Sequence, residues 1–263
     1  YVYPHGIEDF WVPKRRVVNE GQPIKFLHIG EPSPRKDGQL VVDTFAKIFG
    51  NNPDYQLTLK CHNSNTTRMY NKNNEFVTPD TIYSNIKIIT DEYPEEQLLS
   101  LYHSHHVLLY PTWGEGFGFI PLQGLATGMP VISTYDWCHY EKYLGPLKLK
   151  SKLTDETLPK SVGDDYIGKM FKPDAKHLED QMYEAVINFK AYSGYYYAQA
   201  NNIHKEYNWD QLTKNAFEHL SKKFDYFKFK NSQNPFGIYF HPIAIESLIK
   251  NAINNKIYTD KDI

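Results

Sequence analysis

The sequence has little of what marks secreted, membrane-spanning or nucleic-acid-binding proteins. Its 263 residues include two cysteines, Cys61 and Cys138, which are too few for a disulfide framework and favour a reducing compartment. No apolar run approaches the roughly 20 residues of a membrane-spanning helix. The formal net charge of −2 gives no electrostatic basis for binding nucleic acid. We therefore expect a cytoplasmic protein (in the host cytoplasm if the source is viral) with no nucleic-acid partner.

The rest of the composition is that of a globular protein, with 41% hydrophobic and 23% charged residues. Short apolar runs predict strands at Ile24–Ile29, Gln56–Lys60, Ile86–Ile89, Val107–Tyr110 and Val131–Thr134. Helical periodicity or cap signals separate most of them, at Gln39–Phe49, Glu95–His103 and Phe119–Thr127. Strands that alternate with helices predict an α/β fold with a doubly wound parallel sheet.

The most informative stretch covers residues 110–134, where a strand, a glycine-rich loop, a helix and a second strand follow one another. Three loop glycines let the backbone turn sharply and approach a ligand: Gly114, Gly116 and Gly118. The free N–H groups at the start of the following helix suit a phosphate. Glu115 in the loop and Gln123, about one turn into the helix, can reach the same ligand from two sides.

Three loops follow predicted strands: Gly30–Lys36, the loop after Ile89, and Gly114–Phe119. In doubly wound sheets, ligands bind at the carboxyl ends of the strands, so these loops should converge on one crevice. The placement predicts a nucleotide-type ligand, although a fold by itself does not specify the chemistry.

The glycine-rich stretch resembles the sugar-donor motif of retaining GT-B glycosyltransferases, group 1, family 4. That motif has a glutamate, seven further residues and a second glutamate, and is usually written around E-G-F-G-x-x-x-x-E. Glu115 matches the first acid, and the amide Gln123 stands at the second. The Pro-Thr before the motif and the Gly-x-Pro-Val-Ile after it also fit. Tyr3–Trp11 resembles the family's interdomain signature, so the chain looks like the C-terminal half of a two-domain enzyme without its acceptor half. The resemblance covers about Tyr3–Leu220.

The resemblance implies the roles of individual residues. Lys36 matches the lysine of the family's G-R-x-x-x-x-K-G pattern and is expected to stabilise the leaving diphosphate. Glu31 reverses the charge of that pattern's arginine, and Arg35 nearby is a candidate substitute. Glu115 is expected to contact the sugar hydroxyls, and its loop position predicts that replacing it leaves folding intact. Further donor-binding residues are expected at Gly30, Thr90, Gly116, Phe117, Gly118, Phe119, Ile120 and Gln123.

The implied function is the transfer of a sugar, with retention, from a nucleotide-diphosphate-sugar to an unknown glycan, lipid-linked or protein acceptor. Neither a cofactor nor a metal is expected. A metal site in the histidines around His105, or at Asp164-Asp165, is disfavoured, because alternate residues entering a strand point to opposite faces and the acids suit a turn.

Three other functions remain open. The Glu31 and Gln123 departures support a nucleotide-sugar-binding module or a degenerate transferase without activity. Another GT-B enzyme, such as a nucleotide-sugar epimerase, is disfavoured by the sequence around Glu115. The third alternative is an interaction domain that uses the C-terminal tail.

The predicted organisation has four parts. Residues 1–23 form an interdomain linker and the entry to the domain, and residues 24–192 form a Rossmann-like nucleotide-sugar-binding domain. Residues 193–223 form C-terminal helices, including one that crosses back toward the other domain. Residues 224–263 form a partly helical tail, whose interleaved lysines and aromatics leave peripheral membrane contact open, although packing on its own domain is favoured.

Overall fold

The structure is a computed structural model that describes residues 3–61, 69–70, 76–155 and 169–223. The chain divides into two compact units, Tyr1–Thr213 and Lys214–Ile263. In the second unit the described residues are 214–223, which are helical. The predicted tail of residues 224–263 and the Asp164-Asp165 pair lie outside the described residues.

The described elements alternate between strand and helix through most of the chain. The strands are β1 (Ile24–Ile29), β2 (Tyr55–Lys60), β3 (Met69–Tyr70), β4 (Phe76–Val77), β5 (Ile86–Ile89), β6 (Val107–Tyr110), β7 (Val131–Thr134), β8 (Lys148–Leu149), β9 (Ser151–Thr154) and β10 (Met170–Pro173). The helices are α1 (Gly38–Phe49), α2 (Pro79–Ile82), α3 (Glu95–Ser104), α4 (Phe119–Ala126), α5 (Glu141–Leu144), α6 (Ala175–Ile187), α7 (Phe189–Glu206) and α8 (Trp209–Lys223), with a 3₁₀ turn at Gly145–Leu147.

The central sheet has six strands in the order β5-β2-β1-β6-β7-β8. Every neighbouring pair in it is parallel. The prediction of an α/β fold with a doubly wound parallel sheet is therefore confirmed. From β1 the chain builds one half of the sheet outward through β2 and β5, and then returns to place β6 on the other side of β1. The strand order thus reverses between β1 and β6, and this reversal point is where such sheets bind ligands.

The core lies on the faces of this sheet, where β6 and β7 are buried along their whole length. Helix α4 approaches these strands closely through Gly124, since an added Cβ there would lie 3.0 Å from Leu108 and 3.1 Å from Val131. This close packing fixes the start of α4, and with it the preceding glycine loop, relative to the carboxyl end of β6.

The later helices and the hairpin β9–β10 differ from the periodicity prediction. The apolar periodicity after Asp174 predicts one helix over Ala175–Lys190, with a second helical stretch over about Tyr195–Tyr207, but α6 ends before Asn188 and α7 begins directly after it. Asn188 has φ −103° and ψ 19° and still donates its N–H to the carbonyl of Glu184, so the chain bends without a glycine or proline. The antiparallel hairpin of β9 and β10 was not predicted, because its strands lack clear alternation.

Candidate functional site

Two loops meet at the point where the strand order reverses: residues 30–37 after β1 and residues 111–118 after β6. Their contacts are specific, because the backbone N–H of Trp113 donates to the carbonyl of Arg35 at 2.9 Å. The Trp113 indole donates to Asp37 Oδ2 at 2.8 Å, and Thr112 Oγ1 lies 3.1 Å from the Arg35 carbonyl. These bonds hold the two loops in a fixed relative position.

The carboxylate of Glu115 is the centre of the site. Its Oε1 lies 2.6 Å from Lys36 Nζ and 2.7 Å from Arg35 Nη1. The hydroxyls of Tyr110 and Thr112 donate to the same oxygen at 3.0 Å and 2.9 Å, respectively. The side chains of Lys36 and Glu115 are only 10% and 11% exposed. Its loop position predicted that replacing Glu115 leaves folding intact, but the loop turns this carboxylate inward onto two cations, so we now expect its loss to cost stability.

The electrostatics keep this pair charged. Burial by itself raises the pKa of Glu115, but the charges and hydrogen bonds of Lys36 and Arg35 outweigh burial and lower the pKa below its usual value. For Lys36, burial lowers the pKa, and the attraction of Glu115 opposes this only in part. Burial and the Glu115 charge both raise the pKa of Tyr110, so its hydroxyl remains a hydrogen-bond donor at neutral pH.

The charge reversal at Glu31 has a structural partner. Glu31 Oε1 lies 3.1 Å from Arg35 Nη2, while Arg35 Nη1 donates to the carbonyl of Gly114 at 2.7 Å. Arg35 thus extends from Glu31 on one side to Glu115 on the other. The structure therefore brings a second cation to the site from four residues further along the same loop.

Of the three loop glycines, Gly118 is the one that the turn requires. It has φ +82°, and an added Cβ would lie 2.4 Å from the ring of Trp137. Its carbonyl accepts a hydrogen bond from the Tyr140 hydroxyl at 2.5 Å, immediately before α4 begins. Gly114 and Gly116 have no positive φ, and a Cβ on either would meet open space. The predicted sharp turn therefore rests on Gly118.

Aromatic rings border the glycine loop. Phe117 is buried, Phe119 is exposed, and their ring centroids lie 5.1 Å apart. His5 packs against both rings at 5.1 Å and 5.2 Å, and thereby links the predicted linker to the loop. Gln123 Oε1 accepts a hydrogen bond from the Tyr102 hydroxyl at 3.2 Å, so the carbonyl end of this amide is held in place.

The remaining predicted residues differ in how close they come to the Lys36–Glu115 pair. Gly30 contacts Lys36, because an added Cβ would lie 3.4 Å from its Cγ. The carbonyl of Ile120 and Oε1 of Gln123 share the single hydroxyl proton of Tyr102, at 3.1 Å and 3.2 Å from its oxygen. Thr90 follows β5, which β2 separates from β1, so its loop lies two strands away from the loop that carries Lys36.

The sequence patterns did not indicate Tyr110 or Thr112, which both bind Glu115. A signal was available for Tyr110, since it places one hydroxyl at the end of an otherwise aliphatic strand. His28 was missed as well: its Nδ1–H donates to the Leu109 carbonyl at 2.9 Å, which links β1 to β6 beneath the site.

The three histidines around His105 do not converge on one point. His103 Nε2 donates to the carbonyl of Val12 at 2.8 Å, and His105 bonds Thr58 Oγ1 at 2.8 Å. The backbone N–H of Lys25 donates to His106 Nδ1 at 2.9 Å. Within the described ranges, no group of three or more histidine, cysteine or acidic side chains is arranged to hold a metal ion.

Solved glycosyltransferases share this fold. The chain matches sucrose-phosphate synthase from Thermosynechococcus elongatus with a TM-score of 0.58 and 16% identity, over 84% of this chain and 52% of that one. It matches a glycosyltransferase from Rickettsia africae with a TM-score of 0.54 and 12% identity, over 78% and 48% of the two chains. It matches WaaG, described as a glycosyltransferase involved in lipopolysaccharide biosynthesis, with a TM-score of 0.51 and 14% identity, over 76% and 52%.

These matches establish a fold like that of the GT-B C-terminal domain, and this chain spans about half the length of each matched structure. No curated protein matches by sequence. Residues 217–263 match the GSCFA family, a stretch that overlaps the predicted tail. Among the described helices, none has both the length and the apolar character to cross a membrane.

Proposed function

On the basis of this glycosyltransferase-like fold, we propose that the chain is the donor-binding half of a glycosyltransferase. In this proposal it binds a nucleotide-diphosphate-sugar and transfers the sugar to an acceptor, with retention of configuration. The observation that carries the proposal is the buried contact of Lys36 and Arg35 with Glu115, at the point where the strand order reverses. Two cations and an ionised carboxylate on neighbouring loops offer a donor both a diphosphate site and a sugar site.

Lys36 and Arg35 supply the diphosphate site. Both cations lie within 2.7 Å of one carboxylate oxygen, so an incoming diphosphate can take over their hydrogen bonds without a large movement. A cation already in place stabilises the charge that develops as the nucleotide diphosphate leaves. The N-terminus of α4, which follows Gly118 without a side-chain cap, adds backbone N–H groups for the same anion.

Glu115 is the acceptor for the sugar hydroxyls. Its lowered pKa keeps it ionised at neutral pH, so it accepts hydrogen bonds and is not a general acid. Four donors already surround one of its oxygens, which makes it a weak nucleophile. Transfer would therefore rest on positioning and on charge stabilisation rather than on a covalent sugar–enzyme intermediate.

Several features of the proposal go beyond the fold. They are the donor sugar and base, a glycan, lipid-linked or protein acceptor, an N-terminal GT-B domain that completes the site, and activity without a metal or other cofactor. Assignment to family 4, a cytoplasmic location and peripheral membrane contact also stay predictions. The half-length coverage of the matched structures supports a partner domain, because a GT-B site closes between two domains.

A panel of nucleotide-sugars tested by thermal shift examines the donor site directly. A donor at one hundred times its dissociation constant adds about 2.7 kcal/mol of stability, which raises the Tm by roughly 5–10 °C for a domain of this size. Lys36→Ala should abolish the shift, whereas Lys47→Ala, which removes an exposed lysine on α1, should retain it. If no nucleotide or nucleotide-sugar raises the Tm of the wild-type chain, the proposal fails.

The second candidate is a nucleotide-sugar-binding module without transfer activity. It is favoured by the Glu31–Arg35 ion pair, which withdraws part of the positive charge from the site. The Gln123 departure is milder, because an amide can still hydrogen-bond a ribose hydroxyl. Donor binding without donor hydrolysis or transfer by the complete two-domain protein would select this candidate.

A further inference from the structure

A cavity lies on the side of the central sheet where the strands begin, among residues that the proposed donor site does not use. Lys25 is the second residue of β1, and His106 directly precedes β6, so this cavity opens at the amino ends of the strands. Its volume is about 240 Å³. We name it the amino-edge cavity and define it by Lys14, Arg15, Arg16, Lys25, His103 and His106.

The amino-edge cavity is strongly cationic, although the chain has a net charge of −2. Two lysines and two arginines line it, and no lining residue is acidic. Lys14 and Arg15 are exposed and Lys25 is half-buried, and no described carboxylate forms an ion pair with any of the three. Positive charge concentrated in a concave site raises the local concentration of anions.

Arg16 anchors the segment that carries Lys14 and Arg15. Its buried guanidinium donates to the carbonyls of Tyr102, His105, Thr127 and Lys14, and also to the Thr127 hydroxyl. The carbonyls of Tyr102, His105 and Thr127 lie at the carboxyl-terminal ends of α3 and α4, where a cation is favourable. The backbone N–H of Lys14 also donates to the Thr127 carbonyl at 3.0 Å. The chain on either side of Arg16 is therefore ordered before any ligand arrives, which reduces the entropic cost of binding.

Neutral histidines complete the wall. Burial, together with the charges of Lys25 and Arg16, lowers the pKa of His106 to about 4. Burial, together with Arg16 and Lys14, also lowers the pKa of His103. The cavity therefore carries the charge of its lysines and arginines at neutral pH, and an anion bound there would raise both histidine pKa values.

We propose that the amino-edge cavity binds a small phosphate-bearing anion, separately from the nucleotide-sugar site. Its volume is below the roughly 300–1,000 Å³ of pockets that enclose drug-sized ligands, so the cavity suits a phosphate group with a small substituent. Lys14, Arg15 and Lys25 would pair with the phosphate oxygens, and Arg16 would hold the segment in place. The phosphate can belong to a free small molecule or to a lipid headgroup.

Calorimetric titration of the whole chain with inorganic phosphate tests the site. We expect binding that is weakened about tenfold in Arg15→Gln and in Lys25→Gln, because each variant removes one charge-assisted contact. Lys87→Gln removes an exposed lysine on β5 at the far edge of the sheet and should bind as the wild type does.

The ring signals of His103 and His106 should shift in nuclear magnetic resonance spectra when phosphate is added, which would place the anion in the cavity.

Flotation with phosphatidylcholine vesicles, with and without phosphatidic acid, distinguishes a lipid headgroup from a free small molecule as the source of the phosphate. Binding to the acidic vesicles that requires Arg15 and Lys25 assigns the phosphate to a lipid headgroup, and absence of vesicle binding assigns it to a free molecule. The proposal is overturned if phosphate does not bind at millimolar concentration, or if Arg15→Gln and Lys25→Gln bind it like the wild type.

Discussion

The contact between Lys36 and Glu115 should be the strongest single ionic coupling in the described part of the chain. Two unit charges 2.6 Å apart attract by roughly 6 kcal/mol at an effective dielectric constant of about 20. Desolvation of these nearly buried side chains offsets much of that attraction. Removing one partner of such a pair typically costs about 3–5 kcal/mol, because the other charge stays buried. We expect about 3 kcal/mol for Lys36→Met, since Arg35 remains 2.7 Å from Glu115.

A double-mutant cycle measures this coupling. Urea unfolding of Lys36→Met, Glu115→Gln and the double variant should give a coupling free energy of about 2 kcal/mol, with the double variant more stable than the two single losses predict. The ion pair of Lys47 with Glu179 is the matched control: it is 2.5 Å long, but its lysine is 67% exposed. Its coupling should be clearly weaker because water screens it.

The pH dependence of the coupling free energy between Lys36 and Glu115 is a further test. The pKa of Glu115 is lowered in the folded state, so its stabilising contribution is complete above the unfolded value of about 4.3. The coupling should therefore be full at pH 7 and should disappear as the pH falls through the folded pKa. Losses that add to within about 0.5 kcal/mol at pH 7 would refute a coupled buried pair.

Three further predictions concern the glycine loop, the buried histidines and the effect of removing metal ions. Gly118→Ala should destabilise the chain by about 3 kcal/mol in urea unfolding and weaken nucleotide binding, because Gly118 has a positive φ and an added Cβ would clash with Trp137. Gly116→Ala should be nearly neutral, and equal stabilities of the two variants would contradict the loop geometry. Burial lowers the pKa of His28, His105 and His106 to about 4. Between about pH 6.5 and 4 the unfolded chain therefore binds more protons than the folded chain, and the free energy of unfolding should fall on acidification by up to about 4 kcal/mol per pH unit. A free energy of unfolding in urea that does not change with pH would argue against three neutral buried histidines. Donor binding, measured by calorimetry, should be unchanged by EDTA, and a loss that one divalent cation restores would show that a metal takes part.

Much of the fold could be predicted from the sequence because its signals are local. Apolar runs predicted the five longer strands of the central sheet to within one residue at each end. The glycine-rich loop between β6 and α4 predicted a strand, a turn and a helix in that order. Parallel strands bring the loops at their carboxyl ends to one edge, so Lys36, Arg35 and Glu115 could be assigned to one site. Thr90 was assigned by the same rule, but it follows the outer strand β5, two strands away from β1, whose loop carries Lys36.

Only the tertiary structure decided how these residues meet. Lys36 and Glu115 are 79 positions apart, and no sequence pattern indicated that they form a buried ion pair, or that Tyr110 and Thr112 complete it. The charge reversal at Glu31 became interpretable once Arg35 was seen to contact both Glu31 and Glu115. Local periodicity specifies which elements form, whereas the sites depend on loops from distant elements packing together. For the same reason, the cations of the amino-edge cavity became a site only when the sheet brought the start of β1 beside the residues that precede β6.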